Sequence, residues 1–178
     1  MRKPFWSLLV LCGLTALAAA QQPAASKPPA SPPATASVTV NGKTITIKYS
    51  APSVRGRQIF GPGGLVSHDP TYPVWRAGAN SATALHTDAD LMLGNLRVPK
   101  GDYTLYALVS DPDHWQLVVN KQTGQWGLTY NAKQDLGRVS MRMSVPPAPI
   151  EVLRYELTPN QLTLEWDKHA ASVPIKVQ

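Results

Sequence analysis

Apolar and polar residues alternate with period two through most of the chain beyond Ser37, in short runs separated by turn signals. The clearest run is "SVTVNGKTITIKYS", where a two-residue turn at Asn41-Gly42 pairs Val40 with Lys43 and Val38 with Ile45. That register puts Val38, Val40, Ile45, Ile47 and Tyr49 on one face and Thr39, Thr44, Thr46 and Lys48 on the other. In "DLMLGNLRVPKG" a turn at Gly94-Asn95 groups Leu91, Leu93, Leu96 and Val98 and leaves Met92 and Arg97 opposite them. "DYTLYALVSDPDHWQLVVN" reads as two strands joined at Asp111-Pro112-Asp113, and "GRVSMRMSV" sets Val139, Met141 and Met143 against Arg138, Ser140 and Arg142. "VLRYELTPNQLTLEW" offers Leu153, Tyr155 and Leu157, a turn at Pro159-Asn160, then Leu162, Leu164 and Trp166. No comparable stretch keeps a helical period. The pattern predicts an all-β protein, an antiparallel β-sandwich or jelly-roll-like fold of about eight to ten strands, in a single domain over residues 37–178.

The first thirty-six residues follow different rules. Arg2 and Lys3, then a mostly apolar run from Phe5 to Leu17, then Ala18-Ala19-Ala20, have the order of a secretory signal, with cleavage expected after Ala20. The apolar run is shorter than the ~20 residues of a spanning helix, which favours cleavage over anchoring. Residues 21–36, "QQPAASKPPASPPATA", have too little apolar surface to build a core and read as a disordered or semi-stiff spacer. The chain is therefore expected to be exported, periplasmic or secreted, with no transmembrane segment in its mature form.

Export changes the chemistry available. Cys12 leaves with the signal, so the mature chain has neither a disulfide framework nor a thiol nucleophile. Loss of Arg2 and Lys3 takes the formal charge from +6 to +4. The remaining cations are scattered rather than clustered, which argues against a nucleic-acid partner and is compatible with acidic small molecules or an anionic surface.

Between the first hairpin and Thr83 lies "APSVRGRQIFGPGGLVSHDPTYPVWRAGANSAT", with little alternation. Loops of that length in compact domains are usually functional or disordered, and Ile59, Phe60, Leu65, Val66, Tyr72, Val74 and Trp75 carry enough apolar surface to order this one. Together "YSAPSVRGRQIFG", "PVWRAGANSAT", "PKGDYTLYAL", "WQLVVNK" and "LEWD" resemble a family of exported bacterial proteins catalogued as a domain of unknown function, number twenty-nine eleven. The resemblance covers roughly residues 37–178 and implies an exported β-rich fold without supplying a reaction. Its motifs fall here on Tyr49, Pro52, Arg55, Gly56, Arg57, Phe60, Gly61, Trp75, Arg76, Gly78, Asn80 and Thr83.

Arginine presents a planar fork of donors that suits carboxylate or phosphate. Arg55, Arg57 and Arg76 with the amide of Asn80 are the candidate ligand-binding set, and Trp75 is a candidate stacking wall. The same guanidinium groups are equally suited to stapling the loop, by capping carbonyls that no strand satisfies or by pairing with Asp69, Asp102 or Glu165.

Weaker candidates sit elsewhere. His86, Asp88 and Asp90 alternate in "HTDAD" and would share a strand face, a donor set of the kind that holds a divalent metal, although a solvated strand face explains them as well. His68, His114 and His169 have no partners fixed by spacing. Trp115 and Trp166 fall on the inward phase of their strands, whereas Trp126 in "TGQWGLTY" lies in a loop and is the best candidate for an exposed aromatic platform. "FGPGG" is not followed by the Lys-Ser or Lys-Thr and helix of a phosphate loop, no G-x-S-x-G occurs, and no cofactor is implied. The leading expectation is a non-enzymatic binding module for a small anionic or sugar-like ligand. The alternatives are an envelope structural or interaction protein and a hydrolase with an unrecognised acid pair or metal site. No strand announces itself as a sheet edge, so the oligomeric state stays open.

Overall fold

The computed structural model describes residues 29–178, so the expected signal segment and residues 21–28 of the expected spacer lie outside the described residues. Two antiparallel sheets stack face to face. The seven-stranded sheet runs β1 (Pro33–Val40), β2 (Lys43–Ser50), β4 (Thr83–Thr87), β7 (Gly101–Leu108), β8 (Gln116–Asn120), β9 (Asp135–Ser140), with the short β3 (Val74–Trp75) pairing on β7 beyond the end of β4. The six-stranded sheet runs β11 (Ile150–Thr158), β12 (Gln161–Asp167), β13 (His169–Val177), β5 (Leu91–Leu93), β6 (Leu96–Val98), with β10 (Arg142–Ser144) on β13.

The hairpin registers read from alternation hold. Val40 pairs with Lys43 and Val38 with Ile45 around Asn41 and Gly42, both at positive φ. Leu93 pairs with Leu96 and Leu157 with Leu162. Strand β1 begins at Pro33, inside the stretch whose composition reads as spacer. It does so because β2 offers a ladder out to Ser50 and because Ala34 and Ala36 continue the half-buried alternation of Val38 and Val40.

Alternation does not reveal that "GRVSMRMSV" changes sheets. β9 ends at Ser140, the Met141 N–H donates to the Trp115 carbonyl at 2.9 Å, and β10 continues in the opposite sheet. The strand count exceeds the expected eight to ten because such pieces count separately and because β13 adds a strand after Trp166. β13 tolerates Pro174 in its interior. The Pro174 carbonyl accepts from the Gly94 N–H on the edge shared by β10 and β5, so its ring nitrogen faces the gap between those two partners, where no ladder bond is lost.

Inward residues of both sheets make one core. Ile45, Ile47, Leu85, Leu105, Leu117 and Val119 come from the first sheet and Leu91, Leu153, Leu162, Leu164 and Val173 from the second. The long segment after β2 closes one end of that core. Its Ile59 and Val66 are buried, and Phe60 packs edge-on to Trp75 (centroids 5.5 Å), beside Trp115 (4.7 Å) and against Trp166 (5.9 Å). Trp75 and Trp166 stack at 5.7 Å, and the His169 ring stacks on Trp115 at 5.4 Å.

His169 is half-buried, and its Nδ1 has no partner among the described residues. Desolvation holds its pKa below the ordinary histidine value, against the opposing pull of Asp167 and Asp113 and in the same sense as Lys168. The unfolded chain therefore binds a proton more readily at this ring. Its contribution to stability is complete above the unfolded pKa of about 6.5 and is lost as pH falls through the lower folded value. Melting curves at about pH 7.5 and about pH 5.5 should show an acid-side loss of stability that shrinks in His169→Phe; an equal loss in both proteins contradicts the assignment.

Candidate functional site

The arginine segment folds as a braced loop. The Arg57 Nη2 donates to the Ser53 carbonyl at 2.6 Å and its Nε to the Val54 carbonyl at 3.0 Å, closing a turn in which Arg55 and Gly56 both take positive φ. The Arg55 backbone N–H donates to Glu151 Oε1 at 2.9 Å while its Nη2 reaches the Ala30 carbonyl at 3.1 Å. Backbone bonds from Val54 to Glu151 (2.8 Å) and from Leu153 to Pro52 (2.9 Å) stitch the same turn to β11. Arg57 thus caps carbonyls of its own turn, and Arg55 reaches a carbonyl of the segment that leads into β1.

Arg76 lies apart from them. Its Nη2 stands 3.5 Å from Asp69 Oδ1, with the two side chains 17% and 16% exposed, and its Nε stands 3.4 Å from the Gly78 carbonyl. Burial pushes the Asp69 carboxyl above its ordinary value, while Arg76 pulls it back. The Asn80 amide reaches the Ser31 carbonyl at 3.5 Å, and its backbone carbonyl accepts from the Gly127 N–H at 3.0 Å. The Ala77 carbonyl accepts from the buried Tyr155 hydroxyl (2.9 Å) and from Thr83 Oγ1 (3.1 Å). Trp75 is 2% exposed within the aromatic cluster, so its faces meet other side chains. The five residues singled out in sequence are therefore not gathered around one opening: Trp75 and Arg76 share a small cavity of about 80 Å³ with Asp69 and Trp166, while Arg55, Arg57 and Asn80 each brace a backbone.

The metal candidates divide in the same way. The His86 ring sits between two carboxylates, Nδ1 to Asp102 Oδ1 at 2.8 Å and Nε2 to Asp88 Oδ1 at 3.1 Å. Asp90 instead binds the Arg97 Nη2 and the Lys100 N–H, both at 2.9 Å, and Arg97 first and Lys100 second hold its carboxyl below the ordinary value. Hydrogen bonds to Asp102 and then Asp88 raise the His86 pKa, which favours the doubly protonated cation. An imidazolium has no free lone pair for a metal. Among the described residues no three His, Cys, Asp or Glu side chains are arranged to hold one.

What sequence spacing does not show is a groove on the outer face of the seven-stranded sheet. Thr46 and Lys48 on β2, Ala84 and His86 on β4, and Asp102 on β7 form one part of it, with Thr123 as a wall, and it has a volume of about 380 Å³. Beyond Lys48 and Ala84 it continues past Ser50, Ser81, Gly124 and Gln125 as a second hollow of about 300 Å³. Ser81, in this second hollow, bridges through its backbone to Trp126, a residue that is 55% exposed.

The wall of this groove is the segment after β8, held down by a polar network. Gln125 Nε2 donates to the Tyr106 hydroxyl (2.9 Å) and Thr104 Oγ1 (3.2 Å), Tyr106 donates to the Thr129 carbonyl (2.7 Å), and Thr104 donates to the Gln122 carbonyl (2.7 Å). Further along, the Tyr130 hydroxyl donates to Asp135 Oδ2 at 2.7 Å, and burial with that carboxylate pushes its pKa up to about 12. The polar phase of β2 and the loop position of Trp126 are visible in sequence. The fold-back that joins them depends on Thr104, Tyr106 and Gln125, which reads locally as ordinary strand and loop.

No helix among the described residues is long and apolar enough to cross a membrane. Neither the comparison with curated proteins nor that with solved structures finds a match. A family model described as Protein of unknown function (DUF2911) matches residues 31–175, from the start of the first hairpin to the last strand, and the chain belongs to that family.

Proposed function

We propose that the protein is exported and acts as a non-enzymatic binding module for a sugar-like ligand, seated in the outer-face groove. One observation carries the reading: the groove combines closely spaced hydroxyls with charges of both signs, and Ser81 in its lining bridges to the exposed Trp126. Polyhydroxylated ligands are held in this manner, by short-range donors and acceptors beside an aromatic face. Lys48 and His86 are matched by Asp102 and Asp88, so the groove offers no net positive charge and favours a neutral ligand over an anion. The capped guanidinium groups of Arg55 and Arg57 support a bracing role for their loop within the same reading.

The test is a panel of immobilised neutral and acidic saccharides probed with the wild-type protein and with Trp126→Ala. Binding to neutral saccharides should weaken about tenfold or more in the variant, the scale of a lost aromatic anchor, with melting unchanged. Absence of saccharide binding, or binding indifferent to Trp126 and to Asp102→Ala, contradicts the proposal. Export is checked separately: N-terminal sequencing of the protein recovered outside the cytoplasm should begin at Gln21, and a chain retaining Met1 contradicts cleavage.

A further inference from the structure

The second sheet carries an arginine that the fold leaves without a task. Among the described residues, Arg55, Arg57, Arg76, Arg97, Arg138 and Arg154 each direct the guanidinium at a carbonyl or carboxylate. Arg142 on β10 is exposed, and only its backbone carbonyl is engaged, by Ser172 Oγ at 3.5 Å, so its guanidinium has no partner among those residues. With Asn160, Gln161, Ser172 and Pro174 it lines a hollow of about 320 Å³ on the outer face of the six-stranded sheet. Strand pairing gathers them: Arg142 stands opposite Ser172 and Gln161 opposite Pro174, all on the outward phase of their strands. Asn160 comes from the turn between β11 and β12. Its Oδ1 already accepts from the Thr158 hydroxyl at 2.9 Å, which leaves its amide protons to meet a ligand. At Gln161 the same hydroxyl meets the backbone carbonyl at 3.4 Å, and the side-chain amide has no partner among the described residues.

The donor set decides the ligand. No carboxylate lines the hollow: Glu156 and Glu165 share this outer face on β11 and β12 but stand outside the lining, and Glu165 is held by the Arg154 Nε. One guanidinium among neutral amides and a hydroxyl balances one negative charge, and its planar fork matches the two oxygens of a carboxylate. No second cation lines the hollow to balance a phosphate dianion. The space exceeds a carboxylate alone, and the Gln161 amide and Ser172 hydroxyl can each donate and accept, as neighbouring hydroxyl groups require. We propose that this hollow binds a small hydroxylated carboxylic acid, its carboxylate on Arg142 and Asn160 and its hydroxyls on Gln161 and Ser172. The site lies on the face of the sandwich opposite the saccharide groove and does not depend on it.

The experiment is a titration of the ¹⁵N-labelled protein with sodium glucuronate at constant ionic strength, following the side-chain amide resonances of Asn160 and Gln161, which Asn160→Ser and Gln161→Ser identify. Saturable movement of those resonances with glucuronate, and none with glucose at the same concentration, is the expected result. Arg142→Gln should melt as the wild type does and bind about tenfold more weakly, the worth of one charge-assisted hydrogen bond. Asn160→Asp keeps the acceptor for Thr158, adds a negative charge to the site and should weaken binding at least as much. Glycolate binding as tightly as glucuronate assigns the site to short hydroxy acids, and tighter binding of glucuronate assigns it to acidic sugars. Trp126→Ala should leave these titrations unchanged, which separates this site from the groove. Resonances indifferent to both acids, binding that follows Trp126 instead of Arg142, or phosphate binding more tightly than either acid overturns the proposal.

Discussion

Replacing Trp75 by alanine is expected to destabilise the folded domain by about 3–5 kcal/mol, the usual cost of deleting a buried aromatic side chain. Trp75 is 2% exposed, stacks on Trp166 at 5.7 Å and meets Phe60 at 5.5 Å and Trp115 at 6.3 Å. Its removal takes the central ring from a cluster that also fixes the long loop, through Phe60, to both sheets. The rings around the void are rigid, so collapse recovers little of the loss. Equilibrium urea unfolding measures the effect directly. A loss below about 1 kcal/mol would instead fit an aromatic face standing at the surface, where single substitutions cost little.

Gly127→Ala is the second large effect, expected at about 1–3 kcal/mol, the range for forcing extra volume into a packed site. A Cβ at this position would stand 2.5 Å from the Asn80 carbonyl oxygen and would also overlap the Arg76 Cδ. The carbonyl belongs to the backbone and already accepts from the Gly127 N–H at 3.0 Å, so it cannot swing aside without breaking that bond. Arg76 would have to leave its place near Asp69. Thermal melting should fall, and amide exchange should quicken over residues 76–80 as well as at the mutated turn. Destabilisation confined to the turn itself would show that "TGQWGL" does not clamp "WRAGAN".

These two expectations mark where the sequence is legible and where it is not. The period-two runs specify faces and registers because each side chain's placement depends on its immediate neighbours. Val38 opposite Ile45 and Leu93 opposite Leu96 need nothing beyond a turn and a pleat. The burial of Trp115 and Trp166 follows from the same phase. The sheet change at Met141 is invisible to alternation, since the phase continues unbroken from Val139 through Met141 to Met143 while the hydrogen-bonding partners change.

The arginines illustrate the harder limit. Their type and spacing establish a capacity to bind oxygen acceptors and leave open whose oxygens are bound. In the fold those acceptors are Ser53, Val54 and Ala30 for two of them, and Asp69 with Gly78 for the third. His86 and Asp88 do meet, as their alternation suggests, but the third group is Asp102 from β7, placed by strand pairing between His86 and Asp102 rather than by sequence proximity. The groove likewise joins β2, β4 and β7 to a loop whose Thr123 lies 21 residues beyond Asp102 of β7.

The central claim is that the outer-face groove binds and the arginine loop braces. Its most direct test is calorimetric titration of one neutral saccharide from the binding panel into three proteins: the wild type, Trp126→Ala and Arg57→Ala. Trp126→Ala is expected to lose affinity at an unchanged melting temperature, while Arg57→Ala keeps its affinity and melts lower. Affinity lost in Arg57→Ala at an unchanged melting temperature and retained in Trp126→Ala would place the ligand at the arginines and contradict the account.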